Sequence, residues 1–286
     1  AVGTTSALIN VFTNLFIGIS LGANVLTARF YAAGREKEVS ETVHTAITLA
    51  LVSGIIMALV GLVFSKGALA LMGTPDDVIG LSALYMRIYF LGMPFFMLYN
   101  YGAAILRAVG DTKRPLLFLM IAGVINACLN MVLVIVFKLG VAGVAIATVI
   151  SQMISCVLVL RCLCRSESSY RLRFSELGMK GYYLKQIFSV GVPAGIQSTV
   201  INFSNVLLQS SVNSFGSTAM AGYTAANNLL GFLYVSVNSI TQACMSFTSQ
   251  NYGVGKLKRM DRVLADCMIL SVVVAVVLGC ICYGFG

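Results

Sequence analysis

Eight runs of apolar residues, each long enough to cross a bilayer as a helix, follow one another along the chain and decide most of what it can fold into. They cover roughly 4–28, 43–65, 82–106, 116–137, 141–163, 187–213, 219–249 and 264–285, each near or above the ~20 residues that span a hydrocarbon core. In lipid every backbone N–H and C=O must be satisfied inside the protein, so helices or closed barrels are the only spanning forms, and these runs are about twice the length of a barrel strand. Charged residues make up 10% of the chain against 58% hydrophobic. Soluble domains carry about 25% charged residues, so this chain needs a solvent as apolar as itself. The fold class that follows is an all-α polytopic membrane bundle.

The cations orient it. Sixteen of the 19 Lys and Arg fall after the first, third, fifth and seventh runs. They are Arg29, Arg35 and Lys37; Arg107, Lys113 and Arg114; Arg161, Arg165, Arg171, Arg173, Lys180 and Lys185; and Lys256, Lys258, Arg259 and Arg262. Only Lys66, Arg87 and Lys138 fall elsewhere. Short cytoplasmic loops collect Lys and Arg, so these loops are expected in the cytoplasm and the start of the chain outside, in a cell (plasma or inner) membrane. A net charge of +9 dispersed in this way is not the stripe on a soluble face that nucleic acid requires.

A weak internal repeat divides the chain. Residues 20–39 resemble residues 241–260: Thr27 matches Thr248, Tyr31 matches Tyr252, Gly34 matches Gly255, and Arg35 and Lys37 match Lys256 and Lys258. The offset sets the first run opposite the seventh and the second opposite the eighth, each pair crossing in the same direction. Parallel repeats of this kind are a transporter feature. The expected organisation is an N-terminal lobe over 1–164, a polar linker over 165–186 with a short interfacial helix, and the start of a C-terminal lobe over 187–286. Completing the repeat calls for one more helix before the first run and three after the last, twelve in all. The chain by itself is therefore not expected to transport.

Motifs sharpen the reading. The third run ends in Arg107-Ala108-Val109-Gly110-Asp111-Thr112-Lys113-Arg114-Pro115, a tight turn into a helix start that Asp111 or Thr112 can cap. Asn126 and Asn130, four apart, share one helix face. Gly140-Val141-Ala142-Gly143-Val144-Ala145-Ile146-Ala147-Thr148 opens the fifth run, and Gly191-Val192-Pro193-Ala194-Gly195 opens the sixth. Gly18 with Gly22, and Gly191 with Gly195, are the small-residue spacings that let membrane helices approach closely. This ordered set, spread over essentially the whole chain, resembles the multidrug and toxic compound extrusion (MATE) family.

The resemblance implies a two-lobed antiporter that exports organic cations or other amphipathic compounds in exchange for H⁺ or Na⁺. It also implies that Asn126, Asn130 and Thr148 stand where one branch of the family builds its cation site, together with an aspartate from a preceding helix. That branch often carries an acid where Asn130 stands, and the early sixth run reads Ile201-Asn202 where other branches have a glutamate. All ten acids lie in loops or near run ends, so the coupling carboxylate is expected on the helix before the first run, on the spans after the last, or not at all.

From the residues alone, buried amides call for partners or water, and the amides Gln197, Asn202 and Asn228 suggest a second hydrated surface. Tyr85, Tyr89 and Asn100 in the third run offer aromatic and polar contacts for a cationic substrate. The expected partners are small amphipathic or cationic molecules and membrane lipid, on a monomeric protein. A flippase of the same superfamily handling lipid-linked oligosaccharide is the alternative, as is a membrane protein without a transport role. The first is disfavoured because a diphosphate needs cations in the cavity. Eight cysteines, all in or beside apolar runs, read as small hydrophobes. His44, the single histidine, reads as an interfacial residue. No nucleophile–base set, zinc spacing or phosphate loop occurs, so neither enzymatic activity nor an organic or metal cofactor is expected.

Overall fold

The computed structural model describes residues 2–71, 76–213 and 217–285, and these contain no strand. The helices are α1 (Val2–Ala32), α2 (Glu36–Leu71), α3 (Asp76–Leu91), α4 (Met93–Ala108), α5 (Lys113–Met131), α6 (Gly140–Arg165), α7 (Gly181–Asn213), α8 (Ser217–Gly253) and α9 (Leu257–Phe285). Five described stretches are long and apolar enough to cross a membrane: Thr13–Ala32, Glu36–Gly67, Lys113–Val136, Gly140–Arg165 and Leu257–Ile281. The bent pair α3–α4 makes a sixth. α7 and α8 are as long but interrupted by amides and hydroxyls. The chain is an all-α polytopic membrane protein.

The third run is two helices rather than one. α3 and α4 meet at 46°. Gly92 closes the last turn of α3 with its N–H on Tyr89 O at 2.9 Å. Pro94 has no N–H to give to a continuing helix and suits the first turn of the next. The fourth run keeps its length but ends in a π-helical turn over Val132–Val136, and Lys138 and Gly140 follow with positive φ. The linker between α6 and α7 holds a 3₁₀ turn, Phe174–Glu176, in place of a full interfacial helix.

The repeat reappears in the backbone. Gly34 and Gly255 both take positive φ, 68° and 72°. Around the first, Gly34 N–H bonds to Tyr31 O and Arg35 N–H to Phe30 O; around the second, Gly255 N–H bonds to Tyr252 O and Lys256 N–H to Asn251 O. The pairing is the Schellman termination that favours glycine. The two turns are built alike, in the register read from the sequence.

Close helix approach organises the centre. α1 and α7 cross where each carries glycine four residues apart. A Cβ on Gly18 would run into Gly195 Cα, and one on Gly191 would stand 2.5 Å from Ile19 Cα. Around this crossing, α2, α3, α4 and α6 bury Phe90, Met93, Met97, Tyr101 and Ile105. The outer residues of α5 and α9, such as Leu117, Met120, Val124, Val272 and Val276, stay exposed, as a lipid-facing surface must.

Candidate functional site

α5 and α6 face each other with their polar residues inward. The α5 helix begins after Gly110, at φ 92°, where Asp111 Oδ1 accepts Arg114 N–H at 3.1 Å; Asp111, rather than Thr112, supplies the cap. That start sets the register that turns Asn126 and Asn130 toward α6.

There the hydroxyls are committed as donors. Thr148 Oγ1 donates to Val144 O at 2.9 Å and Ser151 Oγ to Thr148 O at 2.8 Å. Both oxygens are therefore left as acceptors, and Asn126 Nδ2 reaches them at 3.5 and 3.4 Å, long enough to be weak bonds. Asn126 Oδ1 in turn accepts Asn130 Nδ2 at 3.1 Å. The chain of bonds ends on Asn130 Oδ1, which is buried and has no partner among the described residues. An unmet buried acceptor costs about 1–3 kcal/mol; a donor or a cation relieves it. Among the described residues no cluster of His, Cys, Asp or Glu could hold a metal ion, so the cluster offers neutral oxygens only.

The structure thus brings together Asn126, Asn130 and Thr148 and adds Ser151, which sequence reasoning passed over although it stands three residues beyond Thr148 on the same face. The next α6 residue, Gln152, points toward the α3–α4 break: a Cβ on Gly92 would lie 2.7 Å from its Oε1, itself buried and without a partner among the described residues. Tyr85 and Tyr89 stack on α3, centroids 6.1 Å apart and planes 27° from parallel. Asn100 does not join them; its Nδ2 bonds to Phe96 O of its own helix at 2.8 Å. Gln197 is exposed on α7. The side chains of Asn202 and Asn228 lie outside the described residues.

A second polar cluster ties α8 to α1 and α4. Asn24 Nδ2 donates to Ala104 O at 2.8 Å, Ser246 Oγ to Asn24 Oδ1 at 2.9 Å, and Gln250 Nε2 to Ala108 O at 2.7 Å. Nearby, the Arg29 guanidinium lies 4.9 Å from the Tyr252 ring centroid. Sequence analysis did not single out Asn24; the one local signal was the four-residue spacing of Ser246 and Gln250, which puts them on one face of α8.

Three comparisons bear on this arrangement. The MatE family model matches residues 1–132 and 193–285. A probable multidrug resistance protein of Bacillus subtilis (strain 168), YoeA, is 33% identical over the whole chain, which spans 63% of that relative's length. Among solved structures, an outward-facing conformation of a multidrug resistance MATE family transporter of the MOP superfamily superposes with TM-score 0.86 at 20% identity, over 96% of this chain and 61% of that one. An inward-facing conformation of such a transporter gives 0.73 at 20% identity, over 96% and 62%.

Proposed function

The chain belongs to the MatE family, and from that membership we propose that the protein carrying it is a secondary antiporter, exporting amphipathic or cationic small molecules across the cell membrane in exchange for H⁺ or Na⁺. The observation that carries the proposal is the Asn126–Asn130–Thr148–Ser151 cluster. Four neutral polar side chains face one another between two largely apolar helices, and the last acceptor has no partner among the described residues. Polar groups at membrane depth are expensive and mark substrate or ion pathways. Amide and hydroxyl oxygens suit a hard cation or a proton-carrying water. A carboxylate from elsewhere in the protein supplies the titrating charge. Tyr85 and Tyr89 form the aromatic wall for a lipophilic cation, and Asn100, Gln197, Asn202 and Asn228 belong to the surfaces the substrate passes.

In this reading residues 1–164 and 187–286 belong to two lobes joined by the 165–186 linker, and the basic loops face the cytoplasm. The Asn24–Ser246–Gln250 cluster then closes the cytoplasmic end while the cavity faces outward. The higher similarity to the outward-facing structure supports that assignment. Opening inward breaks these three bonds as the lobes rock.

The test is ethidium efflux from cells expressing the protein from its own coding sequence. Export that stops when the proton or sodium gradient is collapsed, and that falls at least tenfold in Asn126→Ala, is expected. Export indifferent to both gradients, or no export alongside translocation of a lipid-linked diphosphate sugar, overturns the proposal.

A further inference from the structure

The single histidine is not at the water interface. His44 is 4% exposed, beneath the segment that links α6 to α7. Its Nδ1 lies 2.7 Å from Ser40 O one turn back, and a carbonyl can only accept, so Nδ1 carries the proton. Nε2 is then a lone pair, and it accepts the backbone N–H of Arg173 at 3.0 Å, from 129 residues away. A linker amide is thus held by the lone pair of an imidazole, the one side chain in this linker corner able to exchange an acceptor nitrogen for a donor by taking up a proton.

We propose that His44 is a proton-operated latch that positions the linker between α6 and α7. The inference stands whether or not the antiport reading does. Protonation turns Nε2 into a donor facing a donor, and the Arg173 amide loses its acceptor. A second partner waits: Glu176 Oε2 is 3.9 Å from Nε2. At present Glu176 Oε1 takes the Arg173 guanidinium at 2.9 Å, which holds the Glu176 carboxyl below the usual carboxylate range and so keeps it an anion near neutral pH. The linker therefore has two arrangements. In one, neutral His44 holds the Arg173 amide; in the other, the imidazolium pairs with Glu176 and the amide is released.

Further charged groups at this corner are Glu41, one turn before Thr45 on α2, and Lys180, with which it pairs; Lys37 lies near Glu41, and Glu38 near the Tyr183 hydroxyl of α7, which also reaches Glu41. The flanking anchors do not titrate with His44. Leu172 is buried with its N–H on Leu163 O at 3.2 Å, and Lys180 N–H reaches Thr45 Oγ1 at 3.4 Å. Release at Arg173 frees the stretch between them, 173–179, and loosens the strap leading into α7. With the basic loops in the cytoplasm, the signal is cytoplasmic acid.

Hydrogen exchange on the whole protein in lipid nanodiscs tests this, reading protection of peptides within 166–180 from pH 8 to pH 5 after correction for intrinsic exchange. Protection is expected to fall by up to about tenfold per pH unit as the pH drops toward the midpoint and to level off below it, while peptides from α4 hold constant. His44→Gln, which keeps a neutral acceptor for Arg173 but cannot titrate in this range, should show no fall. Glu176→Gln should move the fall to lower pH, since the imidazolium loses its counter-charge. A flat wild-type profile, or an equal fall in His44→Gln, overturns the latch. An unmoved midpoint in Glu176→Gln also overturns it, and needs no His44 variant to fold.

Discussion

Gly191→Ala tests the crossing of α1 and α7 at one of its closest backbone contacts. The new Cβ would stand 2.5 Å from Ile19 Cα and 2.9 Å from Ile19 O. Ordinary Cβ contacts begin near 3.4 Å, and these neighbours are backbone, so no side chain can swing away. α1 and α7 must separate by roughly 1 Å along their tightest crossing, and the other close glycine contacts, Gly18 on Gly195 and Gly22 on Ile187, lose their fit together. Overpacking of this kind costs about 1–3 kcal/mol, against about 0.5–1 kcal/mol gained from replacing a helical glycine by alanine. At about 2 °C per kcal/mol for a chain of this size, the detergent-solubilised protein should melt a few degrees lower by fluorescence-detected size exclusion. Gly123→Ala in α5 is the control, because a Cβ there meets nothing within 4 Å; it should be neutral or slightly stabilising. A Gly191→Ala protein as stable as wild type, or a Gly123→Ala protein equally destabilised, would refute the packing argument.

Other outcomes follow from the same contacts. Gly34→Ala and Gly255→Ala should each lower stability by about 1–2 kcal/mol, because both turns need a left-handed residue; a large difference between them in thermal melts would count against the backbone repeat. Asn24→Leu takes away the acceptor of the Ser246 hydroxyl and the side-chain donor to the Ala104 carbonyl, at about 1–3 kcal/mol. It should raise the labelling of a cysteine placed at Ala108 by a thiol reagent added to the cytoplasmic side, and unchanged labelling would speak against a closed end there. Thr148→Val removes one acceptor of the Asn126 amide while keeping shape; transport should fall more than in Asn100→Leu, whose amide serves only its own helix.

Much of this architecture was legible in the sequence because membrane helices are written in hydropathy. Six of the eight runs became single α-helices and the fourth an α-helix ending in a π-helical turn, and Asn126, Asn130 and Thr148 lie together, as their helical spacing allows. The third run failed as one helix because the apolar run continues through Gly92-Met93-Pro94, and hydropathy is blind to a missing N–H. Ser151 was missed because one serine in an apolar helix usually satisfies itself on its own backbone, as this one also does. His44 was misplaced for a different reason. Its position near the end of a run reads as interfacial, and nothing local announces that residues 172–180 fold back over it. Asn24 is similar: its partners on α4 and α8 are 80 and 222 residues away.

The most direct test of the central claim is ion movement driven by substrate alone. With the protein in proteoliposomes carrying an internal pH dye and, separately, an internal sodium dye, a gradient of ethidium is imposed with no other driving force. The account predicts counter-movement of H⁺ or Na⁺ that saturates with ethidium and is lost when Asn126 and Asn130 are replaced by alanine. Ethidium movement without either ion, or ion movement that survives both substitutions, would contradict it.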